Sequence, residues 1–258
     1  MIPREDIIAW GVSHPWPEYD QIEQDLLLSQ AICEIAKDEL LGNELSLRGG
    51  TAFHKLFMKT PYRYSEDLDY VRSSEGGIGD IIDRLREIGE ELGYEVKSKI
   101  GKFPKVIWKY TSSNGVPSKI KIEINTFERS PAMGVFFVEH EVDSAYYRGF
   151  AKVRTFHREE LVATKIRALY QRIKGRDLYD IWLALTELDL SVDKILEAFP
   201  VYRPDNMTAK NSIINLHEKL EDKQFIGDIS YLIRSDAPDY SVTEAGEYIE
   251  RELLSKIP

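Results

Sequence analysis

Two aspartates, Asp67 and Asp69, are the side chains in this sequence whose type and spacing best suit chemistry. They lie two residues apart in a segment that alternates as a β-strand does, so both carboxylates are predicted to face one side, with Leu68 and Tyr70 on the other. Like charges on Cα atoms about 6–7 Å apart repel each other, and a bound cation would offset that repulsion. Taken alone, the pattern also fits a solvated strand surface.

A third carboxylate, Glu123, lies in the middle of the alternating segment 119–125. The three isoleucines of this segment are expected to pack into the core, which places Glu123 on the polar face with Lys121 and Asn125. If this strand neighbours the strand of Asp67 and Asp69, Glu123 completes a site for divalent cations. The alternative is the exposed face of an ordinary amphipathic strand.

A pair of glycines, Gly49 and Gly50, precedes these carboxylates at a predicted strand-to-helix junction, with Thr51 next in the chain. Adjacent glycines let a phosphate approach the backbone, and the following helix offers free N–H groups and the positive end of its dipole. A plain tight turn is the alternative. A two-metal phosphoryl-transfer site requires this order of elements: a glycine turn, a strand with two acids and a later strand with a third acid. The two metals of such a site lie about 3.5–4 Å apart.

The elements that must position these residues are a sheet and its flanking helices. Hydrophobic periodicity predicts helices at 18–41, 51–57 and 78–92, and Gly42-Asn43 is expected to end the first of them. Strands are predicted at 45–48, 67–71, 94–100, 105–111 and 119–126. The later pattern is helical, at 159–173, 176–187, 192–199, 208–220 and 243–254. We predict an α/β (α+β) domain at 1–155 and a helical C-terminal domain at 156–258.

At these residues the sequence resembles the nucleotidyltransferase superfamily, and more closely its AbiEii/AbiGii-type toxin family. The superfamily pattern is Gly-Gly or Gly-Ser after a hydrophobic residue, a spacer, an acid-x-acid strand and a later strand acid. The closer match comprises QIEQDLLLS at 21–29, LRGGTA at 47–52, RYSEDLD at 63–69, ELVATKIRALYQR at 160–172 and KGRDLYDI at 174–181. The spacer of 16 residues between Gly50 and Asp67 is longer than is usual in the superfamily.

The resemblance implies a nucleotidyltransferase-like mixed sheet and a metal-dependent enzyme. Such an enzyme moves a nucleotide from a nucleoside triphosphate (NTP) to an acceptor and releases pyrophosphate. Asp67, Asp69 and Glu123 are expected to bind Mg²⁺ or Mn²⁺, with Glu123 as metal ligand or as base. The residues expected to hold the nucleotide in this part of the chain are Gly49, Gly50, Thr51 and Ser65.

Further charged residues lie on two helices predicted in the second half. Lys165 and Arg172 share a helix face, and two stacked cations suit a triphosphate or an RNA backbone, so both are predicted to bind the nucleotide's phosphates. Asp177 and Asp180 share a face of the next helix. Asp177 and Lys165 are candidate catalytic residues, and the alternative for Asp177 is a structural ion pair with Arg176.

Charge is unevenly distributed along the chain. The net charge of −10 argues against a protein coated in basic charge for nucleic acid. Segment 147–176 nevertheless has nine Lys and Arg against two Glu, a local charge of +7, which leaves −17 on the rest of the chain. This segment is predicted either to bind phosphates of RNA or to form a solvated helix face.

Other features of the sequence limit its location and its partners. The single cysteine, Cys33, excludes an intramolecular disulfide, and no stretch approaches the ~20 apolar residues of a membrane span. We therefore expect a cytoplasmic protein. The resemblance implies the toxin of a toxin–antitoxin or abortive-infection phage-defence pair, acting on RNA such as the acceptor end of tRNA, with a cognate antitoxin. Nucleotidyl transfer to a small molecule or a protein, and a non-catalytic nucleotide-binding module, are the alternatives.

Overall fold

Two compact units make up the structure, a computed structural model that describes residues 2–258. The first unit ends at Phe156 and the second runs from His157 to Pro258. Each has a buried apolar core, which includes Leu26 and Trp108 in the first unit and Tyr179 and Phe225 in the second. No helix among residues 2–258 is long and apolar enough to cross a membrane.

A mixed sheet of seven strands forms the centre of the first unit. Its strands are β1 (Leu45–Arg48), β2 (Asp67–Arg72), β3 (Glu95–Lys99), β4 (Lys105–Thr111), β5 (Pro117–Asn125), β6 (Phe136–Asp143) and β7 (Arg148–Thr155). They lie in the order β3-β4-β5-β2-β1-β7-β6, with β2 parallel to β5 and β1 parallel to β7. This mixed sheet with its flanking helices confirms the predicted fold class.

Helices flank this sheet, and the two longest of them pack on one of its faces. The helices are α1 (Arg4–Ser13), α2 (Tyr19–Lys37), α3 (Glu39–Glu44), α4 (Gly49–Ala52), which a π-helical turn Phe53–Phe57 continues, and α5 (Gly79–Glu91). On the covered face Val106, Trp108 and Ile122 are fully buried, and the Trp108 indole donates a hydrogen bond to the Leu85 carbonyl of α5. The odd-numbered side chains of β3, β4 and β5 are exposed or half-buried, apart from Asn125, which is buried. These strands therefore have a core face and an open face.

The first long helical stretch is divided where one helix was predicted. Asp38 begins α3 by accepting a hydrogen bond from the Leu41 amide at 2.9 Å. The prediction that Gly42-Asn43 ends the helix is wrong, because both residues lie inside α3. A Cβ at Gly42 would lie 2.5 Å from the Ala36 carbonyl oxygen, so this glycine is explained by close packing.

Strands β6 and β7 were not predicted from the sequence. β6 begins with Phe136, Phe137 and Val138, and the side chains of both phenylalanines are exposed. Apolar and polar residues therefore do not alternate at the start of β6, and the alternating burial that marks a half-buried strand begins only at Val138.

The second unit is helical, as predicted. Its helices are α6 (Arg158–Gln171), α7 (Gly175–Glu187), α8 (Val192–Ala198), α9 (Ala209–Leu220), α10 (Lys223–Gly227) and α11 (Val242–Glu252), with 3-10 turns at Phe199–Val201 and Leu254–Lys256. Five of the six helices were predicted to within two residues at each end. The sequence analysis did not predict α10, which is five residues long.

Candidate active site

The three predicted carboxylates of the first unit lie on neighbouring strands. β2 and β5 pair in parallel, and Asp69 lies directly opposite Glu123. Asp67 precedes Asp69 by two residues on the same side of β2, whereas Leu68 and Ile122 are fully buried on the other side. The two strands are adjacent, as the metal-site interpretation required, and all three carboxylates are on the open face.

Two lysines form ion pairs with Asp67 and Glu123. The Lys121 ammonium lies 2.7 Å from Asp67 Oδ2, and the Lys105 ammonium lies 2.7 Å from Glu123 Oε2. Both contacts cross between adjacent strands, since β5 pairs with β2 on one side and with β4 on the other. Within residues 2–258, Asp69 forms no ion pair. Negative charge is therefore concentrated at Asp69.

The ionisation of the site residues reflects this imbalance. Burial is the main cause that raises the pKa of Asp69; the charges of Asp67 and Glu123 also raise it, whereas those of Arg48 and Lys121 lower it. The pKa of the Lys121 ammonium is raised, which favours its charged form. Burial alone lowers it, but the hydrogen bond to Asp67 and the surrounding carboxylates outweigh burial and raise it. The site thus favours additional positive charge.

Close packing accounts for both glycines of the predicted phosphate loop. Gly49 has a φ of 77°, and a Cβ there would lie 2.8 Å from Asp69 Oδ2. A Cβ at Gly50 would lie 2.2 Å from Nη2 of the buried Arg63. Gly49 therefore borders the carboxylates directly, whereas Gly50 packs against the Arg63 side chain. Arg63 was not among the predicted site residues.

Thr51 and Ser65 connect this turn to the start of β2. The Thr51 side chain is buried and its hydroxyl donates a hydrogen bond to the backbone carbonyl of Asp67. The Ser65 hydroxyl lies 2.9 Å from that of Thr51. The Thr51 hydroxyl thus holds the backbone that carries Asp67, which leaves its backbone N–H as the group to test for phosphate binding.

Arg48 is a further cation of the site that the sequence analysis did not assign. It lies opposite Asp69 on β1 and forms an ion pair with Glu128, which also accepts a hydrogen bond from the Asn125 amide at 3.1 Å. The sequence contained part of the signal, because Arg48 lies between the predicted strand and the glycine pair. Its pairing with Glu128 depends on the chain path after β5, which no local pattern reveals.

The donor set of the three carboxylates is of the kind that binds a divalent cation. Among residues 2–258, no three His, Cys, Asp or Glu side chains converge as they would around a metal ion. The chemistry of the donors does fit Mg²⁺ or Mn²⁺, because three carboxylates share one face and oxygen donors are the ligands that these cations prefer. Binding requires the Lys121 and Lys105 ammoniums to move away from the carboxylates that they contact.

In the second unit, the predicted phosphate-binding cations form a buried ion-pair cluster. The Lys165 ammonium lies 3.1 Å from Asp177 Oδ1 and 2.7 Å from Asp180 Oδ2. Arg172 donates to Asp177 from the surface, with Nη2 at 2.7 Å from Oδ1. Burial alone raises the pKa of Asp177, but Lys165 and Arg172 outweigh burial and hold the pKa below its ordinary value.

The alternative of an ion pair between Arg176 and Asp177 is wrong. Arg176 Nε lies 3.2 Å from Asp228 Oδ2, while Asp177 points to Lys165 and Arg172. The two neighbours project from α7 in different directions because successive helix residues lie on different faces. Asp177 does form structural ion pairs, but with cations of α6 and of the turn after it.

The basic segment 147–176 is divided between the two units. On β7, Arg148 forms an ion pair with Asp143 of β6 at 3.1 Å, and Lys152 lies opposite Glu139. The rest of the segment lies in the second unit, where Lys165 is buried against two aspartates. Charges that are adjacent along the chain are thus partly neutralised by residues from other segments.

Comparison with known proteins first defines the class of fold. The structure is similar over its whole length to MenT4, a nucleotidyltransferase toxin from Mycobacterium tuberculosis H37Rv, with a TM-score of 0.68 and 15% identity, covering 91% of that chain. A crystal structure of an antigenic nucleotidyltransferase-like protein from Paracoccidioides brasiliensis gives a TM-score of 0.45 at 17% identity, covering 78% of this chain and 91% of that one. The similarity to MenT4 shows that the protein has a nucleotidyltransferase-like fold.

The family follows from the sequence comparison. Residues 30–245 match the nucleotidyl transferase AbiEii toxin family of type IV toxin–antitoxin systems. The match covers most of the chain, and the protein belongs to this family of nucleotidyltransferase toxins. Comparison with curated proteins finds no match.

Proposed function

We propose that this toxin is a metal-dependent nucleotidyltransferase that transfers a nucleotide from an NTP to RNA, with tRNA as the candidate acceptor, and releases pyrophosphate. The observation that carries this proposal is the pairing of Asp69 with Glu123 on adjacent parallel strands, with Asp67 on the same open face. Three carboxylates that repel one another in this position gain from a divalent cation and from its phosphate ligands. A cognate antitoxin and a cytoplasmic location are part of the same proposal.

In this proposal Asp67 and Asp69, with Glu123 as a further ligand or as the base, would hold Mg²⁺ or Mn²⁺, which would polarise the phosphates and stabilise the charge that develops during transfer. Lys121 and Lys105, displaced from their carboxylates, neutralise phosphate oxygens. Backbone N–H groups from Gly49 to Thr51 bind the triphosphate, and the close approach at Gly49 requires the absence of a Cβ.

The reaction exchanges one phosphorus–oxygen bond for another. The acceptor hydroxyl forms a bond to the α-phosphorus, the bond from that phosphorus to the bridging α–β oxygen breaks, and the electron pair leaves with pyrophosphate. Glu123 accepts the hydroxyl proton and later releases it to water. Lys165, Arg172 and Asp177 stay candidate site residues of the second unit, with the phosphate contact at Lys165 requiring a rearrangement of its buried ion pairs.

The proposal is tested by incubating the purified protein with each NTP labelled at the α-phosphate, total RNA and Mg²⁺. We expect label in RNA, stoichiometric pyrophosphate, and loss of both when a chelator is added. Label on a small molecule or on protein would replace RNA as the acceptor. Nucleotide binding without any transfer would instead favour a non-catalytic binding module.

A further inference from the structure

The open face of β3, β4 and β5 carries a dense group of lysines. We call it the lysine face, and its members are Lys97, Lys99, Lys105, Lys109, Lys119 and Lys121. Two acids, Glu95 and Glu123, share the face, so its net charge is six minus two, or +4, in a chain whose net charge is −10. Four of the lysines contact Glu95, Glu123 or Asp67, so the unpaired positive charge of the face within residues 2–258 is that of Lys99 and Lys119, and the face is a candidate surface for a polyanion.

Strand register arranges the lysine face in rows that end at the candidate active site. One row consists of Lys99, Lys105, Glu123 and Asp69, and the next consists of Lys97, Ile107, Lys121 and Asp67. Neighbouring strands are about 4.8 Å apart, so the first row extends about 14 Å from Asp69 to the edge strand. A bound chain that follows these rows has one end at the carboxylates.

The third row borders a cleft. It consists of Glu95, Lys109 and Lys119, and the cleft of about 730 Å³ that these residues line is also bordered by Gln24 and Tyr110. The cleft thus extends the lysine face at the end farther from Glu123, since Lys119 is four residues before Glu123 on β5. It gives an extended ligand a second point of attachment.

Exposed aromatic rings lie at the other end of the same strands. Phe103 in the loop before β4 and Phe127 in the loop after β5 have ring centroids 6.0 Å apart and are 40% and 61% exposed. The Lys102 ammonium lies within 5.6 Å and 5.9 Å of the two ring centroids. An exposed aromatic pair next to a cation is suited to stacking on nucleobases.

We propose that the lysine face binds the backbone of a single-stranded RNA end, with Phe103 and Phe127 stacking on its bases, and directs its terminal hydroxyl to the carboxylates. This inference rests on the proposed function, because it assigns the acceptor a binding surface. An acidic protein would also complement the lysines. RNA is the ligand that fits all three features. Its phosphates fit the lysine rows, its bases fit the aromatic pair, and its terminal hydroxyl fits the phosphoryl-transfer site at which the rows end.

Binding is measured by fluorescence anisotropy with a labelled single-stranded RNA of about 12 nucleotides and no NTP. Lys99 and Lys119 are the lysines to replace, since both are exposed and neither forms an ion pair within residues 2–258. Each Lys→Ala change should reduce the steepness of the plot of log affinity against log salt concentration by about 0.7. If the affinity at 1 M salt is unchanged, the RNA affinity at about 0.1 M salt then falls about five-fold. The double variant should lose about 25-fold.

Two further variants complete this experiment. Lys210→Ala is the matched control, because Lys210 is an exposed lysine of α9 that forms no ion pair within residues 2–258, and it should bind RNA as the wild type does. Phe127→Ala should weaken binding about five-fold or more with no change in the salt slope. Thermal melts check that every variant is folded.

Three results overturn the inference: wild-type affinity in the Lys99→Ala/Lys119→Ala variant, an equal loss in Lys210→Ala, or no RNA binding by the wild type. Nucleotide transfer by the same proteins separates this result from the proposed function. Normal wild-type transfer with RNA affinity that these lysines do not affect refutes only the lysine face. RNA binding that depends on the lysines, with no transfer under any condition, supports the face and refutes the proposed transferase.

Discussion

Replacing Lys165 with methionine removes the ammonium that lies between two buried carboxylates of the second unit. It lies 3.1 Å from Asp177 and 2.7 Å from Asp180, whose side chains are 0% and 1% exposed. Removing one partner of a buried ion pair costs about 3–5 kcal/mol, because the remaining charge stays out of water with less counter-charge. Arg172 still pairs with Asp177 from the surface, so we expect the lower end of this range, about 3 kcal/mol.

Urea unfolding of the full chain measures this loss, and hydrogen exchange in α6 and α7 locates it in the second unit. With an m-value of about 2 kcal/mol/M, a loss of 3 kcal/mol lowers the midpoint by about 1.5 M. Lys174→Met is the matched control, since the Lys174 side chain is 37% exposed beside Asp228 and should cost about 1 kcal/mol or less. Adding Asp180→Asn to Lys165→Met should recover part of the stability, because it removes a charge that has lost a partner.

The opposite outcome would assign Lys165 a different role. If Lys165→Met unfolds at the wild-type urea concentration but binds nucleotide weakly, the ion pairs contribute little and Lys165 acts as the phosphate ligand that the sequence predicts. Loss of stability with the double variant no better than the single one would contradict the charge-based explanation.

Other predictions concern the first unit. Asp69→Asn should raise the free energy of unfolding at neutral pH, because the raised pKa of Asp69 means that its ionisation disfavours the folded state. Thermal melts should show that this gain in stability shrinks as the pH falls to about 3.9, where Asp69 of the unfolded chain also becomes protonated. Gly49→Ala should lower the free energy of unfolding by about 1 kcal/mol or more and abolish transfer, because Gly49 has a φ of 77° and an added Cβ would contact Asp69. Gly77→Ala should do neither, because no atom lies within 4 Å of the position of its Cβ. Lys121→Gln should raise Mn²⁺ affinity about ten-fold in titration calorimetry, because a half-buried ion pair with Asp67 no longer competes; equal or weaker affinity would argue against a metal at Asp67.

The strands of the candidate site could be predicted because their two faces differ in composition. Ile120, Ile122 and Ile124 alternate with polar residues, so the sequence alone assigned Glu123 to the polar side of its strand. The adjacency of Asp69 and Glu123 was a condition in the sequence analysis, and only the sheet order established it. Strand order depends on packing between distant segments, which periodicity within one segment does not report.

The partners of the charged residues could not be predicted for the same reason. Lys105 meets Glu123 only because β4 and β5 pair in one particular register, and the charge of Arg148 is matched by Asp143 across β6 and β7. Counting charge along segment 147–176 therefore overestimated its free positive charge. The lysine face was missed because its members come from three strands, and each strand alone looks like an ordinary polar surface.

The most direct test of the central claim is the rate of nucleotide transfer by variants of the three carboxylates. Asp67→Asn, Asp69→Asn and Glu123→Gln remove one charge each with little change in shape, and Glu139→Gln, an exposed acid on β6, is the control. We predict that each of the three folded variants loses transfer from α-labelled NTP to RNA by about 100-fold or more, while Glu139→Gln transfers at the wild-type rate. Wild-type transfer by Asp69→Asn would contradict the assignment of this site.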